Sequence, residues 1–363
     1  MTTSVIEAED PFRVSRTPRT FAYITLFVVV LLAAAMLVRV PYVVMKPGPT
    51  SNILGAISGP GEDKPVLSIS GATTYPTSGE LMFTTVLVEG GPGQHVSAMD
   101  LFVAWLTPSQ VVLPEEQVYP PGQTQEQAEE EGAAEMASSQ EVAATVALRA
   151  LGQKVPEKVS VAEVPQDSPN AAILRAGDSF VAVDGVPLTS ADQLRSAISA
   201  TKAGATLPLT IRRKGVEQTV EARTVDSGGR AVIGVYLSLD YDLPFTVEIN
   251  AGGVGGPSAG LMFTLAIEDA LTPGAATGGK VIAGTGTMSA DGSVGPIGGI
   301  QQKMVGAQND GAEWFLAPAE NCSEVVGHVP DGMRVVRVAT FAEGWAAVKA
   351  ISQGTAANLP TCA

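Results

Sequence analysis

The sequence predicts a multidomain chain, in which one N-terminal membrane-spanning helix precedes a small α+β domain and a larger α/β domain. Three observations carry this expectation. The 363 residues amount to two or three domains at roughly 150 residues each. Residues 21–38, FAYITLFVVVLLAAAMLV, run without a single charge. Beyond residue 153 strand patterns alternate with capped helix patterns, first in a short β-rich stretch and then in a glycine-rich one.

The apolar run comes first. A bilayer-spanning helix needs about 20 apolar residues, whereas a signal-peptide core has about 7–15. The length therefore favours an uncleaved anchor over residues 21–40, although Ala33, Ala34 and Ala35 keep a cleavable signal open. Arg13, Arg16 and Arg19 precede the run and only Arg39 and Lys46 follow it closely, which puts residues 1–20 in the cytoplasm as a tail. The rest of the chain is then extracytoplasmic, held at the cell membrane by one helix. That compartment permits a Cys322–Cys362 disulfide; two free thiols are equally compatible. The formal net charge of −15 repels phosphate backbones, so no nucleic-acid partner is expected. His95, His328, Cys322 and Cys362 lack metal-ligand spacing, and neither a metal nor any cofactor is expected.

Residues 41–152 read as a juxtamembrane region. Pro41–Pro65 looks like a connector with one or two short strands, Leu81–Val88 like a better strand, and Thr124–Leu151 like a solvated acidic helix.

Residues 153–227 form the β-rich stretch. Phe180–Val183 runs into the hairpin pair Asp184-Gly185, and Ser190 with Gln193 makes a capping box before the Leu194/Ile198 stripe. Leu207–Ile211, a Lys214-Gly215 turn and Val216–Val225 complete it. The segment SPNAAILRAGDSFVAVDGVPLTSADQLRSAI resembles the PDZ family. The resemblance implies that a polypeptide, often its free C-terminus, adds as a strand beside the helix, with Val159–Val164 as the receiving strand. A PDZ fold used only for internal packing is the plainer alternative.

The chemistry gathers in residues 232–352, ahead of a tail at 353–363. Phe245–Ile249 reads as a strand, Ala251–Gly256 as a glycine loop, and Ser258–Leu271 as a helix that Ser258 opens. Backbone N–H groups of Gly255, Gly256, Ser258 and Ala259 are candidates to hold an oxyanion, while the plain role of Ser258 is an N-cap. In the helix after Gly299, Ile300, Met304 and Ala307 make an apolar stripe, and Lys303 lies on the same face. A buried amine escapes its desolvation penalty by losing its proton, which makes it a base; snorkelling to a rim is the alternative.

Together GGPSAGLMF (255–263) and GTGTMSADGSVGPIGGIQQK (284–303) resemble the Lon-type serine–lysine peptidase domain, over about residues 237–351. The resemblance implies that Ser258 is the nucleophile, Lys303 its general base and Thr285 the residue orienting the lysine. It also implies a homo-oligomer, commonly a hexamer. A PDZ unit between one span and this domain resembles membrane-anchored, PDZ-containing Lon-like proteases of bacteria. Two departures stand out. The acidic residue often three positions before the nucleophile is Gly255 here, and the AAA+ motor is missing. GAATGGK (274–280) mimics a nucleotide loop but runs from helix to strand, the wrong order for phosphate. An ATP-independent serine endopeptidase is the resulting expectation.

Two rivals remain. GPSAG (256–260) also satisfies G-x-S-x-G, with Asp291 and His328 following in α/β-hydrolase order, as in an esterase. The non-enzymatic rival is a PDZ adaptor with a silent peptidase fold. SATK (199–202) matches S-x-x-K but lacks the partner motifs and counts as coincidence.

Overall fold

The computed structural model describes residues 16–57 and 64–362. The first fifteen residues of the expected cytoplasmic tail, Arg13 among them, lie outside the described residues. Among the described residues, the helices of eight or more residues are α1 (Arg16–Leu37), α2 (Ala98–Trp105), α3 (Gln125–Ala150), α4 (Ala191–Ala200), α5 (Gly260–Leu271), α6 (Ile300–Asn309) and α7 (Phe341–Ser352). The first strands are β1 (Tyr42–Asn52), β2 (Leu67–Ser70), β3 (Glu80–Glu89) and β4 (Val111–Pro114). They are followed by β5 (Glu157–Glu163), β6 (Ser179–Val183), β7 (Thr206–Arg213), β8 (Val216–Arg223) and β9 (Tyr236–Tyr241). The last are β10 (Thr246–Ile249), β11 (Val281–Gly284), β12 (Trp314–Pro318) and β13 (Arg334–Val338). The chain divides into two compact units, Met1–Gly48 with Val86–Glu129, and Pro49–Thr85 with Glu130–Ala363.

In the first unit the window Thr20–Leu37 of α1 has mean hydropathy 2.5 with none of it buried, which gives it the length and composition to cross a membrane. The start of β1 pairs antiparallel with β4, Val43 opposite Leu113. The eleven-residue β1 replaces the expected connector of short strands. Helix α2 is set by a full capping box: Ser97 Oγ accepts the Asp100 N–H, and the Asp100 carboxylate accepts the Ser97 N–H.

The second unit is built on four parallel strands in the order β13-β12-β11-β3. Alternation along each strand sends residues to two opposite layers. Leu81, Phe83, Ile282 and Leu316 join the core of α5 and α7, while Met82, Ala283, Phe315 and Ala317 join that of α6. Helix α5 is buried along nearly its whole length, and its sequence is apolar apart from Thr264, Glu268 and Asp269, which are buried with it. Phe83 meets Phe263 edge-on at 5.6 Å between ring centroids. Thus residues 80–83 of β3, expected in a separate juxtamembrane region, pair with β11 in this sheet, with Leu81 and Phe83 buried on one face and Met82 on the other.

Helix α3 departs from its expected solvated state in its second half. Glu126, Glu129, Glu130, Glu131 and Glu135 are exposed, but Met136, Ser139, Ala143, Ala144, Ala147 and Leu148 are buried. Small side chains at helical spacing let this helix lie close against its neighbours, and their low hydropathy hides that from a charge count.

The β-rich stretch forms an antiparallel sheet in the order β8-β7-β6-β5-β9. Its hairpins turn at Asp184-Gly185 (φ 48° and 74°) and Lys214-Gly215 (φ 50° and 84°), the left-handed pairs that two-residue turns require. Ser190 caps α4 by accepting the Gln193 N–H, and Leu194 and Ile198 face the core. The sheet continues past residue 227 to β9, so this domain reaches further along the chain than expected. Cys322 and Cys362 form a disulfide across 40 residues of sequence, and the Arg337 N–H donates to the Pro360 carbonyl beside it. Cys362→Ser is expected to cost about 2–4 kcal/mol of stability, read as a lowered urea midpoint. An unchanged midpoint would show the tail to be energetically idle.

Candidate active site

The carboxyl ends of parallel strands are where α/β sheets place ligands, and here the N-termini of α5 and α6 converge on the end of β11. Chain order explains the convergence. β11 ends at Gly284, and the following Thr285 N–H donates to the Leu316 carbonyl at 3.1 Å. Gly286 then bridges to α5, its N–H donating to the Ser258 carbonyl at 2.8 Å and its carbonyl accepting the Leu261 N–H at 3.0 Å. Helix α6 begins after Gly299, which adopts the left-handed φ of 69°. Lys303 thereby falls in its first turn on the buried stripe of Ile300, Met304 and Ala307.

The three predicted side chains meet at this point. Lys303 Nζ lies 2.8 Å from Ser258 Oγ and 3.0 Å from Thr285 Oγ1, and the Thr285 hydroxyl donates to the Ser258 carbonyl at 2.9 Å. Lys303 is 3% exposed and Thr285 is fully buried. The lysine therefore does not snorkel. Burial pushes its ammonium down to about 8, from an ordinary 10.5. Helix α5 starts at Gly260 with Ala259 as its N-cap residue, two positions later than expected, so the Ser258 hydroxyl is no cap and is left to the lysine.

Of the expected oxyanion donors, Gly256 is committed elsewhere, since its N–H donates to the Gly132 carbonyl of α3 at 2.9 Å. Gly255 packs against the same residue, and a Cβ built on it would lie 3.1–3.3 Å from the Gly132 backbone. This contact gives a reason for the missing acidic residue. Ser139 of α3 donates to the Pro257 carbonyl at 3.1 Å, and Gln140 to the Ile249 carbonyl at 3.1 Å. Sequence reasoning missed these residues of α3, because backbone-to-backbone contacts at glycine leave no side-chain pattern.

The esterase constellation does not assemble. His328 is exposed with Nδ1 against the Val326 carbonyl, and the exposed Asp291 accepts from the Ser293 N–H. Neither has a hydrogen bond to Ser258. The strand β10 also ends at Ile249, well short of the serine.

Residues 244–347 match the Lon protease (S16) C-terminal proteolytic domain, and residues 133–224 match the PDZ domain. The chain carries a PDZ domain and a Lon-type serine peptidase domain. Similar proteins agree with this Lon-type assignment. The Lon protease of Lachnoclostridium phytofermentans is 38% identical over 108 residues, which cover 28% of this chain and 13% of that protein. Lon protease 2 of Bacillus subtilis is 34% identical over 107 residues, 29% of this chain and 18% of that protein. The chain thus spans a small part of the curated relatives it matches. Among solved structures, the PDZ domain of an SdrC-like protein from Listeria monocytogenes is 27% identical, covers 22% of this chain and 85% of that one, and has a TM-score of 0.21.

The PDZ sheet corrects one expectation. The segment Val159–Val164 cannot receive a peptide as a new strand, because β5 is already paired with β6 on one side and β9 on the other. The edges of the sheet are β8 and β9, and β9 is the one beside β5. A cavity of about 670 Å³ opens there, lined by Arg195 and Ile198 of α4 and by Ile233, Gly234, Val235 and Tyr236. The stretch Val232–Leu237 lies some 70 residues beyond the segment Val159–Val164, with no sequence pattern linking the two. Its one signal is a glycine between apolar residues, with φ 66° at Gly234.

Proposed function

We propose that the chain is a membrane-anchored, ATP-independent serine endopeptidase that hydrolyses peptide bonds of extracytoplasmic polypeptides with a Ser258–Lys303 dyad. The observation that carries this reading is the 2.8 Å approach of a buried, undercharged amine to a serine hydroxyl at the carboxyl edge of the sheet. The neutral Lys303 amine accepts the Ser258 proton as Oγ attacks the scissile carbonyl. Thr285 holds the amine in line, and the N–H groups of Ser258 and Ala259 receive the oxyanion. Protonated Lys303 then delivers its proton to the leaving amine, and as the free amine again it activates the water that opens the acyl-enzyme.

The PDZ domain recruits or gates substrate: a polypeptide end adds to the free edge of β9 beside α4. Helix α1 anchors the chain with its N-terminus cytoplasmic, and the Cys322–Cys362 disulfide fits an oxidising compartment outside it. Assembly into a homo-oligomer, a hexamer by resemblance, belongs to the same proposal.

The test is hydrolysis of an unstructured protein by the full chain in detergent, without nucleotide, against Ser258→Ala. Cleavage by the wild type with a loss of about 10³-fold or more in the variant is expected. Equal and negligible cleavage by two folded proteins would favour the adaptor.

A further inference from the structure

The catalytic loop is tied to α3 by bonds that the Ser–Lys chemistry itself does not need. We propose that Ser139 is a positioning residue that sets the direction of the Ser258 N–H, the first donor to the oxyanion; the inference rests on the peptidase reading above.

The argument begins with the planarity of the peptide unit. The Pro257 carbonyl and the Ser258 N–H share one plane and point opposite ways in the trans form. Ser139 Oγ donates to that carbonyl at 3.1 Å and turns it toward α3. The Ser258 N–H must then face away from α3. Ser139 is 5% exposed, so water has little access to replace its hydroxyl. Among the described residues, no acceptor is bonded to the Ser258 N–H or to the Ala259 N–H, although donors around them are used. Ser258 is half-buried and Ala259 buried, at the end of a loop exposed at Gly252, Gly253 and Gly255, so the two donors are open to an oxygen arriving from the cleft.

The next peptide unit is treated alike. The Ser258 carbonyl accepts from both the Thr285 hydroxyl and the Gly286 N–H, which fixes the Ala259 N–H by the same planarity. Each carbonyl flanking the nucleophile is therefore pinned from a different element, the first by Ser139 of α3 together with the Gly260 N–H at 3.3 Å, and the second by the loop after β11. Upstream, the Gly256 N–H is bonded to the Gly132 carbonyl of the same helix, and Pro257 between the two ties has no N–H to misdirect. Gly260 keeps the hydroxyl in place, since a Cβ there would approach Ser139 Oγ to 3.0 Å.

The experiment uses the full chain with a fluorogenic peptide. Ser139→Ala should lower kcat about 10–100-fold, less than outright loss of an oxyanion donor. KM and the midpoint of the pH profile should stay within about twofold and about 0.3 units, because Lys303 and the substrate cleft are untouched. Ser139→Thr, which keeps the hydroxyl, should recover most of the rate. Ser139→Cys, nearly the same size but a weak donor, should remain slow. Wild-type kcat in Ser139→Ala, or in Ser139→Cys if the alanine variant does not fold, would overturn the proposal. So would a fall in kcat accompanied by a shifted pH midpoint, which would mean general collapse of the site. If wild type cleaves no faster than Ser258→Ala, the peptidase reading itself fails, whatever Ser139 does.

Discussion

Peptide hydrolysis by this chain should rise tenfold per pH unit from about pH 5.5 to 7.5 and level off above a midpoint near 8, the value to which burial pushes Lys303. Only the neutral amine can take the serine proton, so the active form is lost as pH falls. Lys303→Met should reduce the rate to that of Ser258→Ala and yet leave a more stable protein at neutral pH. The sign follows from linkage. In the folded chain the amine titrates near 8 and in the unfolded chain near 10.5, so between those values the unfolded state holds the extra proton and stability climbs with pH. Below 8 the full desolvation penalty remains, on the order of 3 kcal/mol at 1.4 kcal/mol per unit. A buried methionine escapes it. Urea unfolding of the two proteins at pH 6.5 and 9.5 checks this: the advantage of Lys303→Met should be larger at the lower pH. A flat activity profile, or a variant less stable than wild type at pH 6.5, would remove the undercharged amine from the account.

The second large effect concerns Gly255. Installing the acidic residue that Lon-type domains often carry three positions before the nucleophile should damage this enzyme. Gly255→Asp is expected to lose at least about 100-fold in kcat, because its Cβ would meet the Gly132 backbone at 3.1–3.3 Å. Backbone in a packed helix cannot give way as a flexible side chain does. The loop would have to lift from α3 and take the Pro257–Ser258 peptide with it, a misplacement of the kind that costs about 10²-fold. Steady-state kinetics alongside thermal unfolding decide the matter. Undiminished kcat in a folded Gly255→Asp would mean that the tie to α3 is dispensable.

The inward face of Lys303 and the free donors of a glycine loop before a helix could be read from spacing, whereas the meeting of Lys303 with Ser258 and Thr285 was implied only by the resemblance to Lon-type domains. The PDZ turns were equally legible, because Asp184-Gly185 and Lys214-Gly215 state their own backbone geometry. What the sequence hid was long-range and carried by small groups. Half of the buried side chains of α3 are alanine or serine, small groups that follow an acidic run, and the grip of this helix on the serine itself is made of one hydroxyl and glycine backbone. Strand β3 looked local to the membrane region because strand patterns do not reveal their partners, and parallel pairing with β11 spans some 200 residues. The edge strand β9 was hidden by the same kind of distance, as its partner β5 precedes it by a whole domain.

Residues 80–85 of strand β3 and 130–150 of helix α3 lie upstream of the stretch that matches the proteolytic family, yet they belong to the unit that holds Ser258. A fragment excised at residues 244–347 would lack the neighbour of β11 and the brace behind the serine. Such a piece would keep Ser258, Thr285 and Lys303 in sequence but not the scaffold that brings them into register, so under the proposed mechanism an excised 244–347 fragment should be inert.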